Sequence, residues 1–256
     1  MIQRQKVIER FAAYTDRYNA ADPKIALKIA HTYRVADNCE KIAASIGLSA
    51  QQIDFAWLSG MLHDIGRFEQ VKRYNTFLDA QSVDHAEFGA DLLFGKDRLI
   101  ADFVDASFDT GMLETVIRAH NKYRIDPSIT GDTLRFCHIL RDADKVDILR
   151  VNVETPMEEI YNVTGEVLYS SGVSEKVMEQ VRGHHAVSRD VMETPADHLI
   201  CHIALAFELV YPKSRELVKE QGYLDRMFDF PTVNADTRKA LEETRREISV
   251  GVSISD

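Results

Sequence analysis

The segment IDFAWLSGMLHDIG, residues 53–66, decides the fold class of this chain. Wound as a helix, it is apolar on almost every side, which is typical of a helix buried at the centre of a helical protein. Ser49, with a Gln three residues later, forms a capping-box pattern that predicts the start of this helix. We expect the helix to end at Gly66. It carries His63 and Asp64 near its end, where a buried charge is costly unless a partner compensates it.

Helical periodicity extends along most of the 256 residues. Apolar residues recur at three- and four-residue spacing, whereas strict two-residue alternation, Gly (12) and Pro (6) are scarce. We therefore predict an all-α protein that forms a single domain over residues 1–256. The helices are expected near residues 2–18, 23–47, 85–93, 99–106, 113–121, 133–151, 175–182, 195–211 and 235–248. Residues 67–84 are interpreted as a long connection, and residues 158–171 as a small hairpin or an irregular loop.

The composition excludes several classes of protein. Lys plus Arg number 31 and Asp plus Glu 41, so the net charge of −10 argues against a protein that coats nucleic acid. A small phosphorylated substrate remains compatible, because a few local cations suffice to bind it. No apolar run approaches the roughly 18 residues that a membrane span needs, and the N-terminus lacks the apolar stretch of a secretory signal. Three widely spaced cysteines (39, 137 and 201) fit a reducing compartment, and we expect a cytoplasmic protein without membrane contact.

Histidine and aspartate residues recur near the predicted buried faces of five helical segments. Any one of them fits a hydrogen-bonded core residue or a helix-end contact. One shared cation site explains the set better than five coincidences. The set comprises His31, His63 with Asp64, His85, His120 and Asp144.

The ordered series His31, then His63-Asp64 followed by Ile-Gly, then Asp144 within Ala-Asp-Lys, resembles the HD superfamily of metal-dependent phosphohydrolases. The resemblance covers about residues 20–150. It implies an all-helical HD-domain bundle in which these four side chains bind one divalent ion.

Two further segments extend the resemblance. DHAEFGADLL, which contains His85, and IRAHNKY, which contains His120, are similar to segments that hold a second ion in two-metal HD enzymes, with Asp64 bridging the pair. Residues of about 151–256 would then form a helical C-terminal extension of the HD core. The branch that degrades cyclic dinucleotides has a GYP sequence after the position of His120, and this chain lacks it. A cyclic dinucleotide substrate is therefore not expected.

The resemblance implies hydrolysis of a phosphoester or phosphoanhydride in a nucleotide or another small phosphorylated metabolite. Two ions bridged by Asp64 would lower the pKa of a bound water from 15.7 towards roughly 7 and clamp the phosphoryl oxygens, so that a metal-activated hydroxide attacks phosphorus. A set of imidazoles and carboxylates favours Mn, Fe, Co, Ni or Zn over Mg or Ca, without selecting one of them.

Cations surround these residues although the whole chain is acidic. Arg34, Arg67 and Lys145 are expected to bind substrate phosphates and to offset charge in the transition state. Four other cations lie near the motif in sequence, and the alternative to phosphate binding is that they are solvated surface charges: Lys72, Arg73, Lys122 and Arg124. Asp142 and Asp147 either orient a ligand imidazole or face water.

Two other functions stay open beside hydrolysis. A minority of HD proteins bind two irons through the same order of six ligands and cleave carbon–phosphorus or carbon–carbon bonds with oxygen. A non-catalytic HD domain that binds a nucleotide as a regulator is the third reading. Oligomeric state is open as well, with a homo-oligomer among the options. His198 and His202 are four residues apart on a helix, but the metalloprotease Glu is missing, so a packing role is expected.

Overall fold

The computed structural model describes residues 2–96, 98–106, 108–161 and 163–253. Every regular element in these ranges is a helix, which confirms the predicted all-α class. None of the helices described is both long enough and apolar enough to span a bilayer.

The chain divides into two compact units, Met1–Asp144 and Lys145–Asp256. The division falls within one long helix, Gly131–Glu154. The single domain expected for residues 1–256 stays a prediction.

The first unit contains the predicted HD core. Within it, the second helix packs against the third and the fourth, and the fifth packs against the fourth and the seventh. In chain order the helices are α1 Arg4–Thr15, α2 Pro23–Ser45, α3 Ala50–Leu62, α4 Ile65–Tyr74, α5 His85–Phe94, α6 Ile100–Phe103, α7 Gly111–Ala119 and α8 Gly131–Glu154, of which α8 continues into the second unit.

Side-chain caps start three of these helices where the sequence predicts them. Asp22 accepts a hydrogen bond from the backbone N–H of Lys24 at the start of α2 (2.8 Å). Ser49 and Gln52 form the predicted capping box of α3. Asp84 accepts from two backbone N–H groups in the first turn of α5. These caps satisfy amide groups that the helix itself leaves unpaired.

The helix that carries the central motif is shorter than expected. α3 ends at Leu62 rather than Gly66, the chain turns at His63 and Asp64, and α4 begins at Ile65. Residues 67–84 are therefore not one long connection. The buried face of α4 includes a glutamine, Gln70, and this polar residue on the buried face hides the helical period in the sequence.

The second unit is also helical. The predicted hairpin or loop at residues 158–171 is wrong, because residues 158–161 and 165–170 lie in two short helices. The predicted helix over residues 195–211 ends early and continues as a 3₁₀ turn, Leu205–Glu208. The helices are α9 Met157–Tyr161, α10 Gly165–Ser170, α11 Glu175–Arg182, α12 Pro195–Ala204, α13 Pro212–Gln221, α14 Tyr223–Phe228 and α15 Ala235–Ser253. In this unit α12 packs against α10, α11, α14 and α15.

Candidate metal centre

The six candidate ligands are brought together from five parts of the first unit. One lies within α2, two in the turn between α3 and α4, one at the first residue of α5, one just after α7, and one in α8. All except Asp144 are at most 5% exposed, and the side chain of Asp144 is 16% exposed. In that order they are His31, His63 with Asp64, His85, His120 and Asp144.

Two close backbone contacts place these helices. A Cβ atom on Gly60 of α3 would lie 2.5 Å from the Cα of Ala36 in α2, so only glycine permits this approach. A Cβ on Gly66 of α4 would lie 2.7 Å from the backbone N of Gly89 in α5. The first contact brings α2 close to the end of α3, and the second brings the start of α5 close to the turn after α3.

The carboxylate of Asp64 faces two pairs of imidazoles, one with each oxygen. Its Oδ2 lies 3.5 Å from the Nε2 atoms of both His31 and His63. Its Oδ1 lies 3.6 Å from Nε2 of His85 and 3.9 Å from Nε2 of His120. Asp64 is thus shared by two groups of side chains, each of which could hold a cation.

Asp144 completes the first of these two groups. Its Oδ1 lies 3.1 Å from Nε2 of His31 and 3.8 Å from Nε2 of His63. The first group therefore has two imidazoles and two carboxylates, whereas the second has two imidazoles and the shared Asp64.

Hydrogen bonds to the outer ring nitrogens orient the imidazoles. The Nδ1 of His63 lies 2.7 Å from the carbonyl oxygen of Gly60, and the Nδ1 of His120 lies 2.6 Å from that of Ile117. A carbonyl oxygen only accepts, so each Nδ1 carries the proton and donates it. Each Nε2 then turns a lone pair towards the centre, as in a metal-ligating histidine. The Nε2 of His63 is buried and has no hydrogen-bond partner.

The rings of the second pair, His85 and His120, also turn the lone pairs of their Nε2 atoms towards the centre. The Nδ1 of His85 lies 2.6 Å from Oδ2 of Asp79, whose carboxylate stays ionised because His85 and Arg67 outweigh burial and lower its pKa. Burial, together with the neighbouring His85 and His63, lowers the pKa of His120 to about 3, and burial and Arg67 lower the pKa of His85. Both rings are therefore neutral near pH 7, and their Nε2 atoms face each other at 3.1 Å. A cation between them and Asp64 would relieve the repulsion of the lone pairs, so these residues fit a metal ion.

The two carboxylates of the centre are anionic. Burial by itself would raise the pKa of Asp64. The Lys28 ammonium and His63 lower this pKa by more than burial raises it, so the net pKa lies well below the usual range. Burial also raises the pKa of Asp144, but His31 and His63 lower it by more, so its net pKa is lowered as well. Both groups are thus ready to bind a cation at neutral pH.

Lys28 belongs to the candidate site, although the sequence did not mark it as a candidate. Its Nζ lies 2.6 Å from Oδ2 of Asp64, and its side chain is 16% exposed. Lys28 precedes His31 by three residues on α2, a spacing that places both on one helix face. That spacing was the available signal.

Arg67 lies at the centre, but most of its guanidinium binds the protein itself. Its Nη1 donates to Oε1 of Gln70, the carbonyl of Phe77 and Oδ1 of Asp79 at 2.7–2.9 Å. Its Nη2 lies 3.3 Å from Nε2 of His85. The predicted phosphate contact of Arg67 stays a prediction, and the bonds observed give it a role in holding the segment after α4. Gln70 and Asp79 carry no periodic or motif signal that the sequence reasoning used.

The other predicted cations lie in different environments. Arg34 is half-buried on α2, one turn after His31, and Lys145 is buried in α8, next to Asp144 in sequence. Their contacts with phosphate stay predictions. Three of the remaining cations pair with acidic residues outside the six-residue cluster, and Arg124 lies over the ring of Tyr123: Lys72 and Arg73 pair with Glu69, and Lys122 with Asp84 and Glu87.

Four other residues from the sequence analysis have clear positions. Asp142 and Asp147 are at most 1% exposed, which rules out the option that they face water. His198 and His202 belong to no group of three or more metal-ligating side chains in the part of the chain that the structure describes. The ring of His202 packs against Tyr161 at 5.7 Å between ring centroids, in line with the expected packing role.

Comparison with known proteins gives one match. The family model of the HD domain matches residues 29–149, a range that contains all six clustered His and Asp residues. No curated protein and no solved structure matches the chain. HD domains are generally metal-dependent hydrolases that bind divalent ions. Residues 29–149 thus match the HD domain, and the clustered His and Asp residues in this range are consistent with the metal-binding site of that domain.

Proposed function

We propose that this protein is a two-metal phosphohydrolase that cleaves a phosphoester or phosphoanhydride bond in a nucleotide or another small phosphorylated metabolite. The observation that carries the proposal is the position of Asp64, whose two oxygens face two separate pairs of imidazoles. The acidic balance of the whole chain supports a small anionic substrate over a nucleic acid.

The donor set supports two divalent ions of the first transition row. His31, His63, Asp64 and Asp144 would hold one ion, and Asp64, His85 and His120 the other. Ions bound there supply acidification of a water molecule and neutralisation of phosphoryl oxygens. Imidazole nitrogens mixed with carboxylates support Mn, Fe, Co, Ni or Zn.

The chain itself adds cationic and apolar groups beside this centre. Lys28 reaches Asp64 from a partly exposed position, and its Nζ lies 5.4 Å from the centre of the Phe77 ring. Arg67 lies 5.6 Å from the same ring. An aromatic ring over two cations lowers the local dielectric and strengthens their attraction for a phosphoryl group. We expect Lys28, with Arg34 and Lys145, to orient the substrate's phosphate.

The test is phosphate release from a panel of nucleotides and sugar phosphates by the purified protein, with Mn²⁺ or Co²⁺ added. We expect activity that needs the metal and that His63→Ala abolishes. The matched control is His185→Ala, which removes an exposed histidine of the second unit and should leave turnover unchanged. Activity that survives His63→Ala, or that needs no metal, would contradict the proposal.

The same preparations separate the two alternative functions. Oxygen uptake by iron-loaded protein, with a mixed-valent di-iron spectrum and no phosphate release, would replace the proposal by an oxygenase. Tight nucleotide binding without turnover under every metal would replace it by a regulator.

A further inference from the structure

The segment between α4 and α5 places a carboxylate directly on one candidate ligand. Oδ2 of Asp79 lies 2.6 Å from Nδ1 of His85. Its other oxygen, Oδ1, accepts from Arg67 at 2.9 Å and from Nε2 of Gln70 at 3.0 Å. All of these side chains are at most 14% exposed. The contacts of Asp79 thus connect the ring of His85 to α4.

His85 differs in this respect from the two ligands that also have a defined Nδ1 partner. His63 and His120 each donate to the carbonyl of the residue three positions earlier in their own helix, Gly60 and Ile117. His85 is the first residue of α5, so no preceding helical turn supplies a carbonyl for it. The orientation of its ring depends on a side chain from outside the helix.

The position of Asp79 is itself anchored by a buried amide. Gln70 is fully buried, and its Nε2 lies within 3.1 Å of acceptors on Asp79, Ser82 and Val83. Asp79 is also the first residue of a short 3₁₀ turn, Asp79–Gln81. The segment is thus held against α4 by hydrogen bonds of Arg67 and Gln70.

We infer that Asp79 is a positioning residue that sets the affinity of the second ion through His85, while the first ion binds independently of it. The inference rests on the two-ion centre of the proposed function. A carboxylate bound to Nδ1 fixes the tautomer of a ligand imidazole and increases the basicity of its Nε2, and loss of such a partner typically costs about 10–100-fold in metal affinity. His63 of the first group does not depend on such a side chain, because the carbonyl of Gly60 in α3 orients its ring.

The experiment is calorimetric titration of Mn²⁺ into the full-length, metal-free protein. The wild type should bind two ions. Asp79→Ala should bind the second ion about 10–100-fold more weakly and the first within about twofold of the wild type. Asp79→Glu, which keeps the carboxylate, should restore part of the loss.

The matched control is Asp84→Asn. Asp84 lies beside His85 in sequence but caps α5 and pairs with Lys122 and Asn121 instead of hydrogen bonding to the imidazole. Asparagine is also a good N-cap, so both affinities should stay unchanged. An NMR measurement of the His85 ring nitrogens should show a loss of the single Nδ1–H tautomer in Asp79→Ala only.

The outcomes separate the inference from the proposal on which it rests. Two ions bound with wild-type affinities by Asp79→Ala would overturn the inference alone. Equal weakening of both ions would also overturn it, because a merely structural role of the segment would then explain the result. A wild type that binds no second ion would instead overturn the two-ion centre of the proposed function.

Discussion

Asp64 is the residue on which both halves of the centre depend. It contributes to both ion groups, and in the absence of an ion its charge is compensated by Lys28, at 2.6 Å. The ammonium group thus occupies the position of a counter-charge that a divalent ion would also provide. Lys28 and a bound metal are therefore expected to substitute for each other in stabilising Asp64.

Lys28→Met should destabilise the metal-free protein by about 2 kcal/mol, because it leaves the buried carboxylate without its nearest cation. With saturating Mn²⁺ the loss should shrink, since the ion takes over the compensation. Urea denaturation with and without Mn²⁺ measures both values. Lys41→Met is the control, because Lys41 makes an equally short but exposed ion pair with Asp37 on the same helix and should have little effect. The same loss with and without Mn²⁺ would refute this reasoning.

The histidines of the centre predict a pH dependence. His120 titrates at about 3 in the folded protein and near 6.5 when unfolded, so the unfolded chain takes up the extra proton as the pH falls. The contribution to stability is complete above about pH 6.5 and declines below it, by about 1.4 kcal/mol per pH unit for one proton. In metal-free His120→Asn the slope between pH 6 and 4.5 should be smaller by about that amount. An unchanged slope in urea melts would speak against a buried, neutral His120.

At this scale the sequence allowed prediction of the ligand candidates but not of their supports. His63-Asp64 and the other four candidates stand out because they are polar residues on predicted buried faces. Lys28 and Asp79 do not, because a Lys or an Asp usually faces solvent. Their roles depend on distances to Asp64 and His85 that only the packed structure reveals.

At the scale of elements, the approach of α2 to α3 controls the first ion group. The backbone of Gly60 touches Ala36, and its carbonyl also orients His63. The distance between His31 and His63 therefore depends on a glycine that has no charge and no motif of its own.

Gly60→Ala should push the two helices apart, at a cost of about 1–3 kcal/mol in the free energy of unfolding, and should weaken binding of the first ion. Gly47→Ala is the control: its φ of 71° makes the substitution strained, but no atom lies within 4 Å of the added Cβ. That variant should lose stability with no change in Mn²⁺ affinity. Equal losses of affinity in the two variants would mean that general destabilisation, and not helix spacing, is responsible.

Helix boundaries could be predicted where a capping residue marks them in the sequence. Asp22, Ser49 and Asp84 are capping residues with a direct physical effect, and the helices after them begin where expected. The end of α3 was misplaced because nothing local distinguishes a buried turn at His63 and Asp64 from a continuing helix. Ile160 and Val167 favour β-structure, yet they lie in the short helices α9 and α10, because packing overrides such propensities.

At the scale of the whole molecule, all six candidate ligands fall within the first unit and within the HD-domain match. The boundary between the units lies inside α8, immediately after Asp144, and neither a linker nor a change of composition announces it in the sequence. The net charge of −10 is a sum over the whole chain, whereas the centre combines buried carboxylates with Lys28 and Arg67.

The most direct test of the central claim is the metal content per chain of the protein as purified, and after titration with Mn²⁺, compared with Asp64→Ala. We expect up to two transition-metal ions per wild-type chain and a severe loss of both in the variant, because Asp64 belongs to both groups. A wild-type chain that takes up no ion, or an Asp64→Ala chain that holds as many ions as the wild type, would contradict the account.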